Sequence, residues 1–422
     1  GGALLVGDIR YTRNRLGTYQ HSELHNFSQD LSEDYIDRSK TGQSDTVKTN
    51  PFGAVPSMFI AVPVLKDRLT IGGGVYVPNA AILNLPTDGA QRWQVQQATI
   101  LITNVTASLG VRINDYFSFG GGISYVLGFA ELSKVQDFGS VPLLADAISE
   151  PPISQENDLG DDAPTEVREL DSLSRPLSLK RAFSHGVTFN VGAAIKPTKK
   201  FGLNLVYQHS SAMKFNGDFS LLMDDPFFTE KLAGVELPDG RVAFKPLIQG
   251  SAVLRFKTPK RITLGLAYDI NEKLRIDGFV MYSFYRELKA FDVEVSSPDL
   301  AQPALGIPDS TSLALARNWN DTVAVEMSGR LRLTDRLLSS VTLGYQSPAS
   351  PDSTIDLASP DGHRPLGGVG MAFDVNKKWR LQADARLQGI IPRTVTESDY
   401  DLGNGTYKLF LATFGLHAQA RF

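Results

Sequence analysis

The sequence FLATFGLHAQARF, residues Phe410–Phe422, decides the fold class because its apolar residues recur at every second position. One set of alternate residues is apolar: Phe410, Ala412, Phe414, Leu416, Ala418, Ala420 and Phe422. The other set is mainly polar or small: Leu411, Thr413, Gly415, His417, Gln419 and Arg421. Successive side chains of a β-strand point to opposite faces. The alternation therefore predicts a strand with one apolar surface and one wet surface.

The same alternation occurs elsewhere in the 422-residue chain, for example in Thr99–Ile113, Phe201–Gln208 and Trp379–Gln388. Charged residues make up 21% of the chain, and no window approaches the roughly 20 consecutive apolar residues that a membrane helix needs. The sequence therefore favours an all-β protein. The chain has no cysteine, which is consistent with passage through an oxidising periplasm. Its net charge of −4 argues against a nucleic-acid partner.

Short polar turns alternate along the chain with much longer polar connections. The six short turns are Lys66–Arg68, Asn114–Tyr116, Pro197–Lys200, Asn271–Lys273, Thr334–Arg336 and Asn376–Lys378. Several of them carry the Asn and Asp residues that tight hairpins favour. The longest connections cover residues 15–50, 131–180 and 216–246. Short turns on one side and long loops on the other are the asymmetry of outer-membrane barrels.

The number of predicted strands indicates how the sheet ends. Six hairpins and one strand at each end of the chain give about fourteen strands, an even number that lets the first and last strands pair. We therefore predict that residues 1–422 form one domain, a single antiparallel transmembrane β-barrel with short periplasmic turns and long extracellular loops. The alternative is a soluble β-sandwich or propeller. Such folds give no reason for turns and loops to alternate in length, and the chain shows no blade-like repeat.

The two ends of the chain bear on its location and processing. Phe422 places a C-terminal aromatic residue on the apolar face of the last strand, which resembles the signal that the bacterial barrel-assembly machinery reads. We therefore expect a mature protein of the bacterial outer membrane, in contact with its lipid and lipopolysaccharide. The chain opens at Gly1 without the basic and apolar regions of a signal peptide, so we expect that it is processed or lacks an N-terminal piece.

The strand number, the two long loops after strands five and seven, and the stretch PVLKDRLTIGGGVYVP (Pro63–Pro78) resemble the FadL/TodX family of outer-membrane transporters. The similarity extends over essentially the whole chain. It implies passive transport of hydrophobic small molecules, either fatty acids or hydrocarbons, and no enzymatic activity. It further implies lateral release at a kinked third strand, here Leu69–Pro78. The candidates for this lateral opening are Gly72, Gly73, Gly74 and Pro78, since glycine runs and proline weaken strands. Alternatively, the small residues only relieve crowding inside the barrel.

One feature departs from the family pattern. The family has an N-terminal segment with an Asn-Pro-Ala motif that plugs the lumen, whereas this chain begins at its first predicted strand. The sequence Asn50-Pro51-Phe52 lies too late to be that motif. The plug is thus either missing from this sequence or absent from the protein. In the second case an alternative function is a structural or docking barrel in a multiprotein envelope complex, with a protein partner at the long loops.

Apolar residues in the long loops are the candidates for substrate binding. The loop after strand seven contributes Leu221, Leu222, Met223, Phe227 and Phe228, and the loop after strand five contributes Leu143 and Leu144. Clustered apolar side chains in polar surface loops are unfavourable unless they cover each other or bind something. We expect them to admit a hydrophobic ligand, and the alternative is that the two loops pack together as a cap.

Charged residues on the polar faces of two predicted strands form a second set. They are Glu326, Arg330 and Arg332 on strand ten and Arg380 and Asp384 on strand thirteen. A lumen arginine could hold a fatty-acid carboxylate, but such charges more often form ion pairs between neighbouring strands. The acidic loop after strand five and the dispersed histidines match no metal-site spacing, so we expect neither a metal nor a cofactor. Oligomeric state and the identity of the substrate are left open by the sequence.

Overall fold

The computed structural model describes residues 1–13, 46–65, 68–87, 89–137, 174–224, 245–301, 309–399 and 403–422. These residues form one antiparallel β-sheet of 21 strand segments. The helical elements among them are 3-10 turns such as Tyr285–Glu287. No helix in the described part of the chain is long and apolar enough to cross a membrane. The prediction of an all-β, antiparallel fold is therefore confirmed.

The segments follow one another along the chain without intervening helical layers. The first eleven are β1 Gly2–Arg13, β2 Thr46–Thr49, β3 Phe52–Pro56, β4 Met58–Leu65, β5 Leu69–Asn84, β6 Gln97–Arg112, β7 Phe117–Asp137, β8 Ser174–Ile195, β9 Phe201–Gln208, β10 Ala212–Leu222 and β11 Leu247–Lys257. The remaining ten are β12 Arg261–Asp269, β13 Leu274–Ser283, β14 Ala290–Ser296, β15 Ser310–Ala316, β16 Thr322–Arg332, β17 Leu337–Gln346, β18 Arg364–Asp374, β19 Trp379–Gly389, β20 Arg393–Val395 and β21 Gly405–Ala420.

The short predicted turns all connect antiparallel neighbours. They join β4 to β5, β6 to β7, β8 to β9, β12 to β13, β16 to β17 and β18 to β19. The Oδ1 atoms of Asn114, Asn271 and Asn376 accept the backbone N–H groups two and three residues further on. This local hydrogen bonding is why Asn favours tight turns. The first and last segments also pair, from Gly2 opposite Leu416 to Arg13 opposite Gly405.

The alternation read from the sequence corresponds to two faces of the sheet. On β7, for example, Phe119 and Ile123 are half or more exposed, whereas the alternate residues Ser124 and Val126 are buried. On most of the strands, large apolar side chains are exposed in this way from the short turn up to the middle of the strand. A soluble monomer rarely exposes so extensive an apolar surface. This surface matches the outward band of a membrane barrel.

Several strands extend further than the sequence alone suggests. Segment β7 continues to Asp137, β8 begins at Ser174 and β10 continues to Leu222, all inside the predicted loops 131–180 and 216–246. The reason is that their alternate side chains bury an apolar cluster. Its members include Ile102, Val126, Leu179, Met213, Phe215, Phe219, Leu221, Met223, Ile248 and Leu254. The predicted boundaries of these two loops are therefore wrong by several residues.

The described strand segments outnumber the fourteen predicted strands, and several segments are separated only by short breaks. Short breaks at residues 209–211, 258–260, 284–289 and 317–321 separate β9 from β10, β11 from β12, β13 from β14 and β15 from β16. Segment β12 pairs with β9 and β13, whereas β11 pairs with β10 and β14. The breaks thus divide this part of the sheet into an inner half, next to the short turns, and an outer half, next to the long connections. The outer half carries the apolar cluster.

Candidate functional site

An irregularity in β5 marks the region predicted as a lateral opening. The pairing of β5 with β6 shifts between Tyr76 and Asn79, so that Val77 and Pro78 face a single residue of the neighbouring strand. Two residues opposite one define a β-bulge, which bends the strand. Proline suits this place because it has no N–H to donate to the ladder.

The glycines that precede the bulge lie in a regular part of the sheet. Gly72, Gly73 and Gly74 pair in regular register with both β4 and β6. A Cβ atom at Gly72 would lie 2.6 Å from the Oγ atom of Ser108, and one at Gly74 would overlap the ring of Phe59. A side chain at Gly72 or Gly74 would therefore be crowded, whereas one at Gly73 would meet only ordinary contacts, and the irregular pairing is at Pro78.

Beside the bulge, two neighbouring strands approach each other without a hydrogen-bonded ladder. The inner half of β5, as far as Val75, pairs with β4, whereas its outer half pairs within the described residues only with β6. Segment β3 pairs with β1 instead. It is nevertheless close to β5, since a Cβ atom at Gly53 would lie 3.4 Å from the Cδ1 atom of Ile82. One hydrogen bond of 2.5 Å, from Thr49 Oγ1 at the end of β2 to the Asn84 carbonyl at the end of β5, links the chain just before β3 to β5.

A small cavity lies on the inner side of the bulge. The structure places Arg261, the first residue of β12, in its wall together with Pro78, Asn79, Ile102, Asn104, Val126, Thr188, Gln208, Ser211, Thr258 and Pro259. The Nε atom of Arg261 is buried and has no hydrogen-bond partner among the described residues. An unsatisfied buried donor costs roughly 1–3 kcal/mol. The cavity has a volume of about 20 Å³, which is enough for one acceptor group of the size of a water molecule beside this Nε–H.

The wall of this cavity contains no acidic residue, so nothing in it neutralises Arg261. Sequence reasoning did not identify this residue. Its surroundings come from the bulge in β5, from β6 to β9 and from the break between β11 and β12, which are far apart in the chain. A lone arginine at the start of a predicted strand carries no signal of such a position.

The lumen charges predicted from the sequence lie mostly in ion pairs. An Arg386 Nη1 atom is 3.3 Å from a Glu326 carboxylate oxygen, and Arg330 pairs with Asp277. Arg380 binds Asp374 at 2.7 Å, and the His417 Nε2 atom is 3.4 Å from Asp384. Arg332 has no ion pair among the described residues. This arrangement supports the interpretation that these charges form ion pairs between strands, because most of the arginines are already paired with carboxylates.

The predicted substrate-binding residues are only partly described. Leu221 and Met223 are buried in the apolar cluster of the outer half, and Leu222 is partly exposed on the other face of β10. The expectation that Leu221 and Met223 are accessible in a loop does not fit these positions. Phe227, Phe228, Leu143 and Leu144 lie outside the described residues.

Two further connections close over the outer mouth of the sheet. Residues 85–87, 89–96 and 347–363 bury Ala90, Val95, Ile355 and Leu357 in a second apolar cluster. The backbone N–H of Leu357 donates to the Gln94 Oε1 atom at 2.8 Å, which ties the two connections together. These connections therefore form a cap that the sequence analysis did not anticipate, since neither is unusually apolar.

Comparison with known proteins places this geometry in context. A family profile described as "Outer membrane protein transport protein (OMPP1/FadL/TodX)" matches residues 15–413. The fold is similar to the crystal structure of a Pseudomonas aeruginosa FadL homologue, with a TM-score of 0.74 and 18% identity over 99% of this chain and 89% of the other. The Pseudomonas putida toluene transporter TodX has a TM-score of 0.60 and 12% identity, over 100% of this chain and 90% of the other. The Ralstonia pickettii toluene transporter TbuX has a TM-score of 0.58 and 13% identity, over 100% of this chain and 90% of the other. No curated protein matches the sequence.

Proposed function

Since the chain belongs to the FadL/TodX family of outer-membrane transport proteins, which are β-barrel transporters and not enzymes, we propose that it carries fatty acids or hydrocarbons passively across the bacterial outer membrane. Residence in the outer membrane and transport of hydrophobic compounds follow from the family. The route, the exit and the class of substrate are the parts that we propose from the structure.

The barrel has fourteen strands in this proposal. Segments that are separated only by a short break or bend are counted as one strand. For example, β2, β3 and β4 form one strand, and β9 and β10 form another. The pairing of β1 with β21 supports closure of the sheet on that side. An even number of strands is the rule for bacterial barrels of a single chain.

The exit lies between β3 and the outer half of β5. The observation that carries this proposal is the break in the ladder there, next to the bulge at Pro78. Unpaired backbone groups that face lipid are strongly unfavourable, whereas unpaired groups that line an internal cavity are tolerated. A break in the ladder beside such a cavity offers an apolar molecule a way into the bilayer without crossing the periplasmic turns.

The cavity at Arg261 favours substrates with an anionic head group. A carboxylate there would accept the unsatisfied Nε–H and form the charge-assisted pair that the wall of the cavity does not provide. Such contacts fix the orientation of a ligand whose remaining surface is apolar. We therefore favour long-chain fatty acids over neutral hydrocarbons, although TodX and TbuX are toluene transporters.

Uptake and conductance measured together test this function. Cells that express the gene-encoded protein should take up a labelled long-chain fatty acid faster than cells that lack it, and the purified protein should carry bound fatty acid in native mass spectrometry. A large, steady ion conductance in planar bilayers with no bound apolar ligand would contradict the proposal. Stoichiometric co-purification of an envelope protein, with uptake unchanged on deletion, would support the docking role instead.

A further inference from the structure

Three cations form a row across neighbouring strands at the outer end of the barrel wall. Arg10 of β1 lies directly opposite Lys48 of β2 on one side and Lys408 of β21 on the other. Their neighbours in the chain, which include Ile9, Tyr11, Val47 and Tyr407, are buried on the inner face. By alternation the three cations, which we call the cation row, point outward, and all three are exposed.

The cation row contains more positive than negative charge. Asp8 forms two hydrogen bonds of 2.9 Å with Arg10 and lies 3.6 Å from the Lys48 Nζ atom. Lys408 has no ion pair or hydrogen bond among the described residues. Like charges directly opposite in an antiparallel pair are destabilising. The row would therefore be stabilised by an external anion.

A row of hydroxyl groups lies one step farther outward on the same face. Thr12 of β1 is opposite Thr46 and Thr406, and Thr406 is in turn opposite Thr394 of β20. The Oγ1 atoms of Thr12 and Thr46 are 3.1 Å apart, and those of Thr394 and Thr406 are 2.9 Å apart. Each hydroxyl group has both donor and acceptor capacity, so together they offer polar contacts suited to a sugar.

Beyond Asp8, apolar side chains cover the same face toward the periplasm. The exposed members on these strands are Leu4, Val6, Phe52, Phe410, Phe414 and Leu416. Three layers thus follow one another up the wall, first apolar, then cationic, then hydroxylated. An acylated sugar phosphate embedded in the outer leaflet presents its acyl chains, phosphate and sugar in this order.

We propose that the wall formed by β2, β1 and β21 binds a phosphorylated, acylated glycolipid of the outer leaflet, with its phosphate on the cation row. The inference rests on the location in the outer membrane and goes beyond the transport function. Phosphate oxygens accept charge-assisted hydrogen bonds from Lys and Arg. The fatty-acid cavity lies on the other face of the sheet, so the two sites are separate.

Binding of defined lipids to the delipidated protein tests this proposal by native mass spectrometry. The probes are bisphosphorylated lipid A, the same glycolipid without phosphates, and phosphatidylglycerol. The variant K48Q/K408Q removes two cations of the row and keeps the Arg10–Asp8 pair. It should bind lipid A roughly tenfold more weakly. The control K377Q/K378Q removes two exposed lysines at a periplasmic turn and should bind lipid A like the parent protein.

Three outcomes would overturn the proposal. They are equal lipid A binding by K48Q/K408Q and the parent protein, equal binding of phosphorylated and dephosphorylated glycolipid, and equal binding of phosphatidylglycerol and lipid A. A heat shift on denaturing gels shows whether each variant is folded, and Lys408→Gln alone provides a milder change. Fatty-acid uptake should be unchanged in K48Q/K408Q, so failure here is distinguishable from failure of the transport proposal.

Discussion

Tyr11 and Tyr407 lie directly opposite each other on the first and last strand segments, with their ring centroids 5.0 Å apart. Both rings are fully buried in the cluster beneath the outer cap. The hydroxyl of Tyr11 donates to the Asn404 carbonyl at 2.9 Å, and that of Tyr407 donates to the Gly403 carbonyl at 2.6 Å. This pair therefore joins the two ends of the described chain by packing as well as by the ladder.

Truncation of one ring should weaken this junction. We expect Tyr407→Ala to destabilise the folded protein by about 3–5 kcal/mol, the usual range for a buried aromatic residue. Tyr407→Phe keeps the ring and loses one hydrogen bond, so its cost should be about 1 kcal/mol. Urea unfolding in lipid vesicles measures both variants. Equal stability of Tyr407→Ala and the parent protein would show that the ring pair does not hold the two strands together.

A reversible cross-link tests the proposed lateral exit. The chain has no cysteine, so the pair G53C/I82C would introduce the only two thiols, placed across the gap between β3 and β5. A short bifunctional thiol reagent with a reducible bond should abolish fatty-acid uptake, and reduction should restore it, because the cross-link holds the two strands together. The matched control is L205C/L264C, at directly opposite positions in the regular ladder of β9 and β12. Uptake that is unchanged after cross-linking of G53C/I82C would exclude this exit.

Substitution of the unpaired arginine should separate two classes of substrate. Arg261→Gln removes the charge that we assign to the carboxylate, so fatty-acid uptake should fall roughly tenfold or more. Uptake of toluene, which has no charged group, should change much less. Arg112→Gln, an exposed arginine near a periplasmic turn, serves as the control for loss of one positive charge. An equal fall for both substrates would assign Arg261 a structural role.

The ion pair between Arg286 and Asp321 should make stability depend on pH in acid. Burial raises the pKa of Asp321, but hydrogen bonds from the Arg286 backbone and the Tyr282 hydroxyl outweigh it, so the pKa lies below its ordinary value of 3.8. A lowered folded-state pKa stabilises the protein above the unfolded-state pKa, and this contribution disappears as the pH falls through the folded-state pKa.

The variant Asp321→Asn isolates this contribution. Its deficit in thermal stability relative to the parent protein should be constant near neutral pH and should shrink as the pH falls below about 3.8. Unfolding temperatures measured at several acidic pH values give the comparison. A deficit that persists unchanged at the lowest pH would mean that the carboxylate charge is not what stabilises this contact.

Sequence periodicity predicted the sheet well because it is a local property. Alternation in segments such as Phe201–Gln208 and the Asn residues of the short turns depend only on neighbours along the chain. They were sufficient to locate six hairpins and to identify the family. The alternation did not show how far β7, β8 and β10 continue, because the buried cluster at their ends depends on partners from other strands.

The C-terminal strand, the turns and the apolar outer surface were thus determined by the sequence itself, since each depends on residues close together in the chain. Only the tertiary structure decided where β5 loses its partner, because a missing ladder is a relation between β3 and β5 and not a property of either sequence. The position of Arg261 beside Pro78, and of Arg10 between Lys48 and Lys408, was decided in the same way. Register brings these side chains together, and register is set when the whole sheet forms.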